Sequence, residues 1–451
     1  MWQFLSDKWR AWQLRAKYQR LVQERVLELL EERGPEPVAD EPGNWQLVGD
    51  GSRGLSEAQR LELRDQARKL VQTNPYARNL LRLLEIYVTG PGLRLSVLPI
   101  GPQPRDAALD RNCERLWKEF LDANHRHFSF RETACRTWRD GECFLRMFPQ
   151  PLWPPAVRYV DPEAIDGGAS APVSKGILTD PNDVETVRTY LRRDLLTGEV
   201  VEEIPADELR HIKIGVDSNE KRGVTIFAPL IESLAAFDKW LDTELQARKL
   251  QASIVLWRKV HGSPSMVAAL ADGTATGDVA GSTRRERVRP GTILTTSHST
   301  ELEFLQPQTN FGDAVPLGRL MLLGIAAGAG VPEFMLSADA SNANYASTMV
   351  AEGPAVKLFE SEQQFFAREF EALWRWVMSQ AADLGLLPPD VLERITPHWS
   401  FPQVVNRDRA KERLTDARLV EAKVLSRAEV ARRDNVDPAA MQAEIAGERN
   451  S

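Results

Sequence analysis

The sequence predicts an α+β fold that is mostly helical. Long stretches with apolar residues at helical spacing flank a middle segment of short runs in period-two alternation, which is typical of strands. The chain has 451 residues, of which 43% are hydrophobic and 27% charged. This composition is that of a folded protein with a sizeable core, and it excludes collagen-like and wholly disordered classes.

The first half of the chain begins with an amphipathic helical pattern at 14–30, which runs into a Gly- and Pro-rich loop and indicates an N-terminal arm. Ser56 with Glu57 opens the next helix, Asn74-Pro75 ends it, and another helix follows at 76–87. Gly90-Pro91-Gly92 then precedes a strand at 93–97. Helical patterning returns at 106–140. Five more strands are predicted at 143–148, 157–160, 176–178, 187–192 and 199–204.

The second half begins with a predicted helix at 226–257. Its apolar stripe consists of Leu230, Leu234, Phe237, Leu241 and Leu245. The segment 263–299 is rich in small and polar residues and indicates an excursion from the main body. We predict a strand at 301–305, a helix at 314–329, a polar loop at 337–347 and a helix at 346–384, which Gly353-Pro354 should kink. Two polar helices follow at 408–425 and 426–435, the second with a capping box formed by Ser426 and Glu429.

Charge and targeting signals narrow the class of protein. The formal net charge is −7, which argues against tight binding of nucleic acid over the whole surface. The three cysteines are an odd number, so we do not expect a disulfide framework. We expect the protein to fold in a reducing compartment. Charges interrupt the N-terminal apolar residues, so we expect no export signal, and the longest charge-free apolar run, 320–332, is short of the roughly 20 residues of a membrane span.

Candidate chemistry is sparse. A metal site built from His125, His127, Cys135 and Cys143 stays open, but their spacing favours surface histidines and buried thiols. Gly324, Gly328 and Gly330 lie in or at the end of an apolar helix, where small residues favour close helix packing over phosphate binding. No histidine lies in a nucleophile motif. We therefore expect neither a catalytic site, nor a resident metal, nor a cofactor.

The order of several short motifs along the chain is more informative than any one of them. These motifs are Asn74-Pro75-Tyr76-Ala77, Arg139-Asp140-Gly141-Glu142, Val160-Asp161-Pro162, Arg222-Gly223-Val224, Arg289-Pro290-Gly291-Thr292, the glycine-rich segment 324–332, Asn344-Tyr345-Ala346-Ser347 and Ser426-Arg427-Ala428-Glu429. Their succession over residues 56–445 resembles the portal proteins of tailed bacteriophages, especially the lambda-like branch. Ala346 departs from the family's Asn-Tyr-Ser-Ser pattern.

This resemblance implies a ring of about twelve copies at one capsid vertex, through which double-stranded DNA is packaged and ejected. It implies no enzymatic activity and no membrane contact. The expected partners are the terminase large subunit, the head–tail adaptor, and the major capsid and scaffolding proteins. The expected location is the portal vertex of the virion, after assembly in the host cytoplasm.

By the same resemblance, the chain divides into named regions. These are an N-terminal arm (1–55), a wing (56–225), a stem helix (226–257), a clip (258–307), a second stem helix (308–334), a tunnel loop (335–350), a kinked channel helix with a return to the wing (351–403) and a helical crown (404–451). The expected site residues are Ser337, Asp339, Ser341, Asn342, Asn344 and Tyr345 in the tunnel loop, and Arg284, Arg285, Arg287 and Arg289 in the clip.

Three alternatives stay open at this stage. The arginines of the clip bind an acidic partner or DNA, or they belong to a solvated loop. A terminase-like packaging enzyme is opposed by the absence of a Gly-Lys-Ser/Thr phosphate-binding loop. A structural head–tail adaptor is opposed by the length of the chain.

The arginine cluster yields the first testable prediction. Replacing Arg284, Arg285 and Arg287 with alanine should leave ring assembly intact but weaken docking of the packaging motor, because the cluster lies outside any apolar stripe. Packaging in a reconstituted assay measures this. Unchanged packaging by intact mutant rings would favour the solvated loop.

Overall fold

The computed structural model confirms an α+β fold that is mostly helical. It describes residues 55–101, 106–167, 174–180, 183–260, 292–297, 311–339, 341, 345–404, 409–433, 436 and 438–449. The predicted arm at 14–30 and the predicted strand at 301–305 lie outside these residues. The chain divides into two units. One comprises Met1–Lys69, Leu84–Ala228 and Glu360–Ser451, and the other Leu70–Leu83 and Pro229–Phe359.

The elements of the first unit alternate between helices and short strands. The helices are α1 (Glu57–Thr73, whose end lies in the second unit), α3 (Ala107–Asn124), α4 (Phe130–Asp140), the larger part of α8 (Tyr345–Asp383), α9 (Val391–Arg394), α10 (Arg409–Glu421), α11 (Arg427–Arg433) and α12 (Pro438–Arg449). The strands are β1 (Arg94–Pro99), β2 (Glu142–Phe148), β3 (Ala156–Val160), β4 (Ile177–Asp180), β5 (Asp183–Arg193), β6 (Val200–Pro205), β7 (Leu209–Lys213) and β10 (Ile395–Ser400).

Antiparallel pairing organises these strands into three small sheets. Their orders are β1-β10, β3-β2-β7 and β4-β5-β6. The strands predicted in the middle segment are confirmed with shifted ends, whereas β7 and β10 were not predicted. Strand β10 contains Pro397, which pairs with Val97. Because proline donates no backbone hydrogen bond, it argues against a strand in sequence patterns, and here it is accommodated in a two-stranded sheet.

An aromatic cluster on α8 forms much of the first unit's core. Phe366, Phe370 and Trp374 are buried. The ring of Trp138 on α4 packs edge-on against Phe366, with centroids 5.3 Å apart. The Trp138 indole Nε1–H donates to Glu362 Oε2 at 2.7 Å, so the polar atom of this buried ring is satisfied.

A single buried carboxylate, Glu142, lies at the start of β2. Its Oε1 accepts hydrogen bonds from Arg60 Nη1 at 2.9 Å, from Arg64 Nη2, and from Arg222 Nη2 at 2.7 Å. Its Oε2 accepts from Arg222 Nε at 2.9 Å and pairs with His211 Nε2 at 3.2 Å. Burial alone would raise the pKa of Glu142, but Arg222 and these hydrogen bonds outweigh burial and hold the pKa well below 4.5.

Gly141 allows this arrangement by bringing two backbone segments together. Its φ is +83°, and a Cβ at this position would lie 2.4 Å from the carbonyl carbon of Val224. Arg222 lies two residues before Val224 in the sequence, and its Nη1 donates to the carbonyl oxygens of Ile165 at 2.6 Å and of Lys175 at 2.8 Å. Gly141 therefore permits the close backbone contact, and Glu142, the next residue, forms the centre of the ion cluster.

The second unit contains α2 (Pro75–Leu84, apart from its last residue), α5 (Ile231–Ser253), β8 (Ile254–Val260), β9 (Thr292–Ser297), α6 (Phe311–Ala329), α7 (Glu333–Ser337) and the start of α8. Strands β8 and β9 pair in parallel. The prediction of one helix over 226–257 was wrong at both ends. The β-branched and aromatic residues of 254–257 form a strand, which suits their shape.

Small residues set the spacing between α5 and α6. A Cβ at Gly318 would lie 2.5 Å from Cη2 of Trp240, and one at Gly328 would lie 2.8 Å from Cδ2 of Leu230. Close helix packing at Gly328 is therefore confirmed. In the α5 stripe, Leu230, Leu234 and Phe237 are buried, but Leu241 and Leu245 are exposed.

The described part of the C-terminal segment, predicted as two helices, contains three: α10, α11 and α12. The cap at Ser426 is confirmed, because its Oγ accepts the backbone N–H of Glu429 at 3.0 Å. Helix α8 is continuous through Pro354. A kink there stays a prediction.

The positions of the cysteines and histidines agree with the interpretation as surface histidines and buried thiols. Cys113 and Cys143 are buried, Cys135 is half-buried, and His125 and His127 are exposed. Within the described ranges, no group of three or more His, Cys, Asp or Glu side chains is arranged to hold a metal ion. Nor does any helix there have the length and apolar character needed to cross a membrane.

The buried ion cluster should dominate the stability of the first unit. Replacing Glu142 with alanine leaves three buried guanidinium groups without their shared carboxylate, so we expect the free energy of unfolding to fall by about 3–5 kcal/mol. Urea denaturation measures this. The matched change at the more exposed Glu57 should cost less than about 1 kcal/mol, and equal losses would contradict the central role of Glu142.

Acidification should weaken the same unit from about pH 6.5 downwards. Burial lowers the pKa of His211 below 6.5, and its hydrogen bond to Glu142 offsets only part of this effect. The unfolded chain therefore takes up this proton first, and stability falls as pH drops from 6.5 towards the lowered pKa. Glu142 adds a second loss below about pH 4.5. The His211→Gln variant should lose the first step, and an unaltered pH profile in that variant would refute the assignment.

Candidate channel loop and adjoining groove

The polar segment predicted as a loop at 337–347 begins with the last residue of α7 and ends in the first turn of α8, so the predicted loop was too long at both ends. Helix α6 ends at Ala329 and is followed by Gly330, whose φ is +71°. The N–H groups of Gly330 and Val331 donate to the carbonyls of Ala327 and Ala326 at 3.2 Å. Helix α7 follows directly after Pro332 and ends at Ala338, which has a φ of +57°. Helix α8 begins at Tyr345.

Local hydrogen bonds shape the described part of the loop. Ser337 Oγ donates to the carbonyl of Glu333 at 2.8 Å and accepts the N–H of Asp339 at 3.3 Å. Asp339 Oδ1 accepts the N–H of Ser341 at 2.9 Å. Hydrogen bonds from the side chain and backbone of Ser341 lower the pKa of Asp339, so this exposed carboxylate is negatively charged at neutral pH.

The structure brings three of the predicted loop residues together. Ser337, Asp339 and Ser341 are linked by consecutive hydrogen bonds. Asn342 and Asn344 lie outside the described residues, as do the four arginines of the predicted clip. Tyr345 is the first residue of α8, and its side chain is not among the described ones.

Sequence reasoning missed the residue that anchors this loop. Asn79 on α2 donates from Nδ2 to the carbonyl oxygens of Met335 and Leu336, both at 2.9 Å. These carbonyls belong to the last turn of α7, where acceptors have no partner within the helix. No local pattern connects positions 256 residues apart, and the only signal was an amide on a helix otherwise rich in leucine and arginine.

The position of α2 is itself fixed by polar and aromatic contacts. Asn74 caps the helix by accepting the N–H groups of Tyr76 at 2.9 Å and Ala77 at 3.0 Å, and its Nδ2 donates to Asp238 Oδ2 at 2.8 Å. The ring of Tyr76 packs edge-on against Phe237 of α5, with centroids 5.4 Å apart. The Asn-Pro pair thus both starts α2 and attaches it to α5.

An open groove lies beside the loop. Its volume is about 560 Å³. Its lining comprises Arg319, Leu323, Ala326, Ala327, Gly330, Val331, Pro332, Glu333, Phe334, Asp339, Thr348, Ala351 and Pro354. Most of these side chains are apolar, and the rim carries an ion pair between Arg319 Nε and Glu333 Oε2 at 3.0 Å. The arrangement offers a surface for binding and positions no nucleophile beside a base.

A comparison with protein families identifies the class of protein. The family model described as "Phage portal protein, lambda family" matches residues 41–363, more than half of the chain. The chain therefore belongs to the lambda family of phage portal proteins, and its role is that of a portal protein. The resemblance based on ordered motifs is confirmed. No curated protein sequence matches the chain.

Two of the solved structures that match this chain come from gene transfer agent particles. A chain from the virion of the native gene transfer agent particle is 15% identical, with a TM-score of 0.44, and the match covers 84% of this chain and 94% of that one. A chain from the neck of the native particle, computed with C12 symmetry, is also 15% identical with a TM-score of 0.44, covering 86% and 97%.

The anchor at Asn79 gives a specific prediction. Replacing Asn79 with alanine removes two hydrogen bonds to α7, so the unfolding free energy of the second unit should fall by about 1–2 kcal/mol. Amide hydrogen exchange at Asp339 and Ser341 should also accelerate. As a control, Asn112→Ala in the first unit removes two exposed hydrogen bonds, one to the Leu386 carbonyl and one from Arg115 Nη2, and should leave amide exchange at Asp339 and Ser341 unchanged. Unchanged exchange in the Asn79 variant would show that α2 does not support the loop.

Proposed function

We propose that the chain assembles into a ring of about twelve copies that forms the DNA channel at one capsid vertex. The observation that carries this proposal is the match to the portal family over residues 41–363, which includes the predicted stem, clip and tunnel loop. Double-stranded DNA passes through the ring during packaging and again during ejection. The chain acts as structure and conduit, and catalyses no reaction.

Charge supports a channel through which DNA slides. Each copy adds a formal net charge of −7, so a ring repels phosphate overall and does not release counterions to bind it. Residues 337–345 contain one acid, Asp339, and no lysine or arginine. A loop of this kind contacts a DNA backbone through short neutral groups, and such contacts break easily.

The assignment of regions and partners is part of the same proposal. Residues 56–225 form the wing, 226–257 and 308–334 the stem, 335–350 the tunnel loop, and 404–451 the crown. The clip at 258–307, with its arginines, docks the terminase large subunit and later the head–tail adaptor. The ring contacts the major capsid and scaffolding proteins when it is assembled in the host cytoplasm and built into the virion.

Imaging of the purified protein tests the proposal directly. Negative-stain micrographs should show rings with a central hole, and mass measurement should give about twelve subunits, with eleven or thirteen within the tolerance of a closed heterologous interface. A monomer at micromolar concentration, without rings, would refute it.

The tunnel loop yields a prediction about the rate at which DNA passes through the ring. Replacing Asp339 and Asn342 with lysine adds phosphate-binding charges to the loop, so packaging or ejection should slow progressively as salt is lowered. Ring formation and melting temperature should stay unchanged, because Asp339 is exposed.

The matched control replaces the same two residues with glutamine, which adds no positive charge. Single-molecule packaging rates at several salt concentrations compare the two variants. A packaging rate of the lysine variant that does not vary with salt, or a loop located on the outer surface of the ring, would contradict the assignment.

A further inference from the structure

The groove beside the channel loop carries one unbalanced negative charge. Its lining is mostly apolar, and the charged residues in it are Arg319, Glu333 and Asp339. Arg319 Nε pairs with Glu333 Oε2 at 3.0 Å, so these two charges offset each other. The carboxylate of Asp339 is exposed, and its bond to Ser341 brings no positive charge. The groove therefore suits a ligand with an apolar body and a positive charge.

The N-terminal end of the chain has a pattern that needs an apolar surface. Three of the twelve tryptophans lie within the first twelve residues. Trp2, Leu5, Trp9 and Trp12 are spaced by three, four and three residues, which predicts one apolar stripe on a helix. At about 100° per residue, the four positions lie within an arc of about 80°. These residues lie outside the described part of the chain, and a stripe of this kind is normally covered by a partner.

The charge of the same segment is complementary to that of the groove. Residues 1–20, which we call the aromatic segment, contain five basic residues and one acid, Asp7. Lys8 and Arg10 flank the stripe on opposite sides of the predicted helix. The aromatic segment therefore combines an apolar face with an excess of positive charge. Tryptophan and arginine are also the residues that most often anchor protein interfaces.

The other long segments outside the described residues lack this chemistry. Residues 261–291 contain no aromatic residue. Residues 298–310 contain one, Phe304, together with two acids and neither lysine nor arginine. DNA is a poor occupant for a different reason, because the unbalanced carboxylate of the groove repels phosphate. Among these candidates, the aromatic segment matches the groove in both polarity and charge.

We propose that the aromatic segment of one copy binds in the groove of the neighbouring copy, with the cations beside its stripe facing Asp339. This inference rests on the proposed ring. In a heterologous ring contact, each copy offers one surface to the copy before it and a different surface to the copy after it, and the segment and the groove are two such surfaces. The 42 residues at 13–54 span about 60 Å even where they are helical, a length that permits the segment to reach a neighbour.

This contact has a consequence for the channel loop. Asp339 belongs to both the loop and the groove, so a cation of the bound segment contacts the loop of the neighbouring copy. Each copy thereby supports the loop of the next copy around the ring.

Cross-linking of full-length cysteine variants tests the contact. Ser6→Cys carries a thiol beside the stripe, and Ala327→Cys carries one in the groove. Rings assembled from a mixture of the two variants should give at least tenfold more covalent dimer with a short bismaleimide than rings of either variant alone. Ala351→Cys on the α8 wall provides a second acceptor position with the same expected result. The wild type sets the background from its native cysteines.

The outcomes separate this inference from the proposed function. Intact rings on imaging, with no more dimer in either mixture than in the single variants, would overturn the contact while the ring stands. A chain carrying both Ser6→Cys and Ala327→Cys that yields only an internally linked monomer would assign the segment to its own copy, and would also overturn the proposal. Absence of rings in the wild type would refute both the ring and the contact.

Exchange of charges provides an independent measurement. Replacing Lys8 and Arg10 with glutamate in the Ser6→Cys chain should lower the dimer yield at least fivefold, because two acids then face Asp339. Asp339→Lys in the Ala327→Cys chain should restore the yield.

The matched control replaces Arg15 and Lys17 with glutamate, which changes the net charge equally but lies beyond the four residues of the stripe. It should change the yield less than twofold. Equal losses in the two charge variants, or no recovery with Asp339→Lys, would contradict the proposed contact at the groove.

Discussion

The first unit depends on one buried carboxylate that four separate parts of the chain share. Glu142 on β2 contacts Arg60 and Arg64 on α1, His211 on β7 and Arg222 before α5. Taking these charges out of water costs several kcal/mol each, so the cluster forms only when all of its members are in place. Arginine suits this role because its planar group donates in several directions, and Arg222 also reaches three backbone carbonyls. The cluster thereby fixes the positions of these parts relative to one another.

The second unit depends on close helix packing through small residues and not on a buried ion cluster. Its helices are held by close packing, since glycines at 318 and 328 let α6 approach Trp240 of α5 and Leu230, the residue directly before α5. Polar contacts between the described elements of this unit include the pair of hydrogen bonds from Asn79 to the end of α7 and the bond from Asn74 to Asp238 of α5. Helices packed through small residues leave large apolar side chains on their other faces. On α6 these exposed side chains are Leu317, Leu320 and Leu323.

The two principles suit the two tasks of a portal protein. An ionic cluster that shares one carboxylate among several side chains favours one arrangement of the elements that carry them, because the charge-assisted hydrogen bonds form together only in that geometry. The loop near the proposed channel uses the opposite chemistry, with a single exposed carboxylate and short hydroxyl groups bonded to their own backbone. Such a surface offers no fixed cation to a passing phosphate.

The sequence alone determined the fold class, the family and several helix caps and breaks, although it misplaced both ends of α5. The break at Asn74-Pro75, the cap at Ser426 and the start of α8 follow from local chemistry, because caps and proline act within a few residues. Only the tertiary structure decided that Ile254 begins a strand, that His211 and Pro397 lie in strands, that Glu142 gathers arginines about 80 residues away and that Asn79 supports α7. A periodic pattern shows which face of an element is buried, but not which distant element buries it. The partners of buried polar groups therefore emerge only when the whole chain is folded.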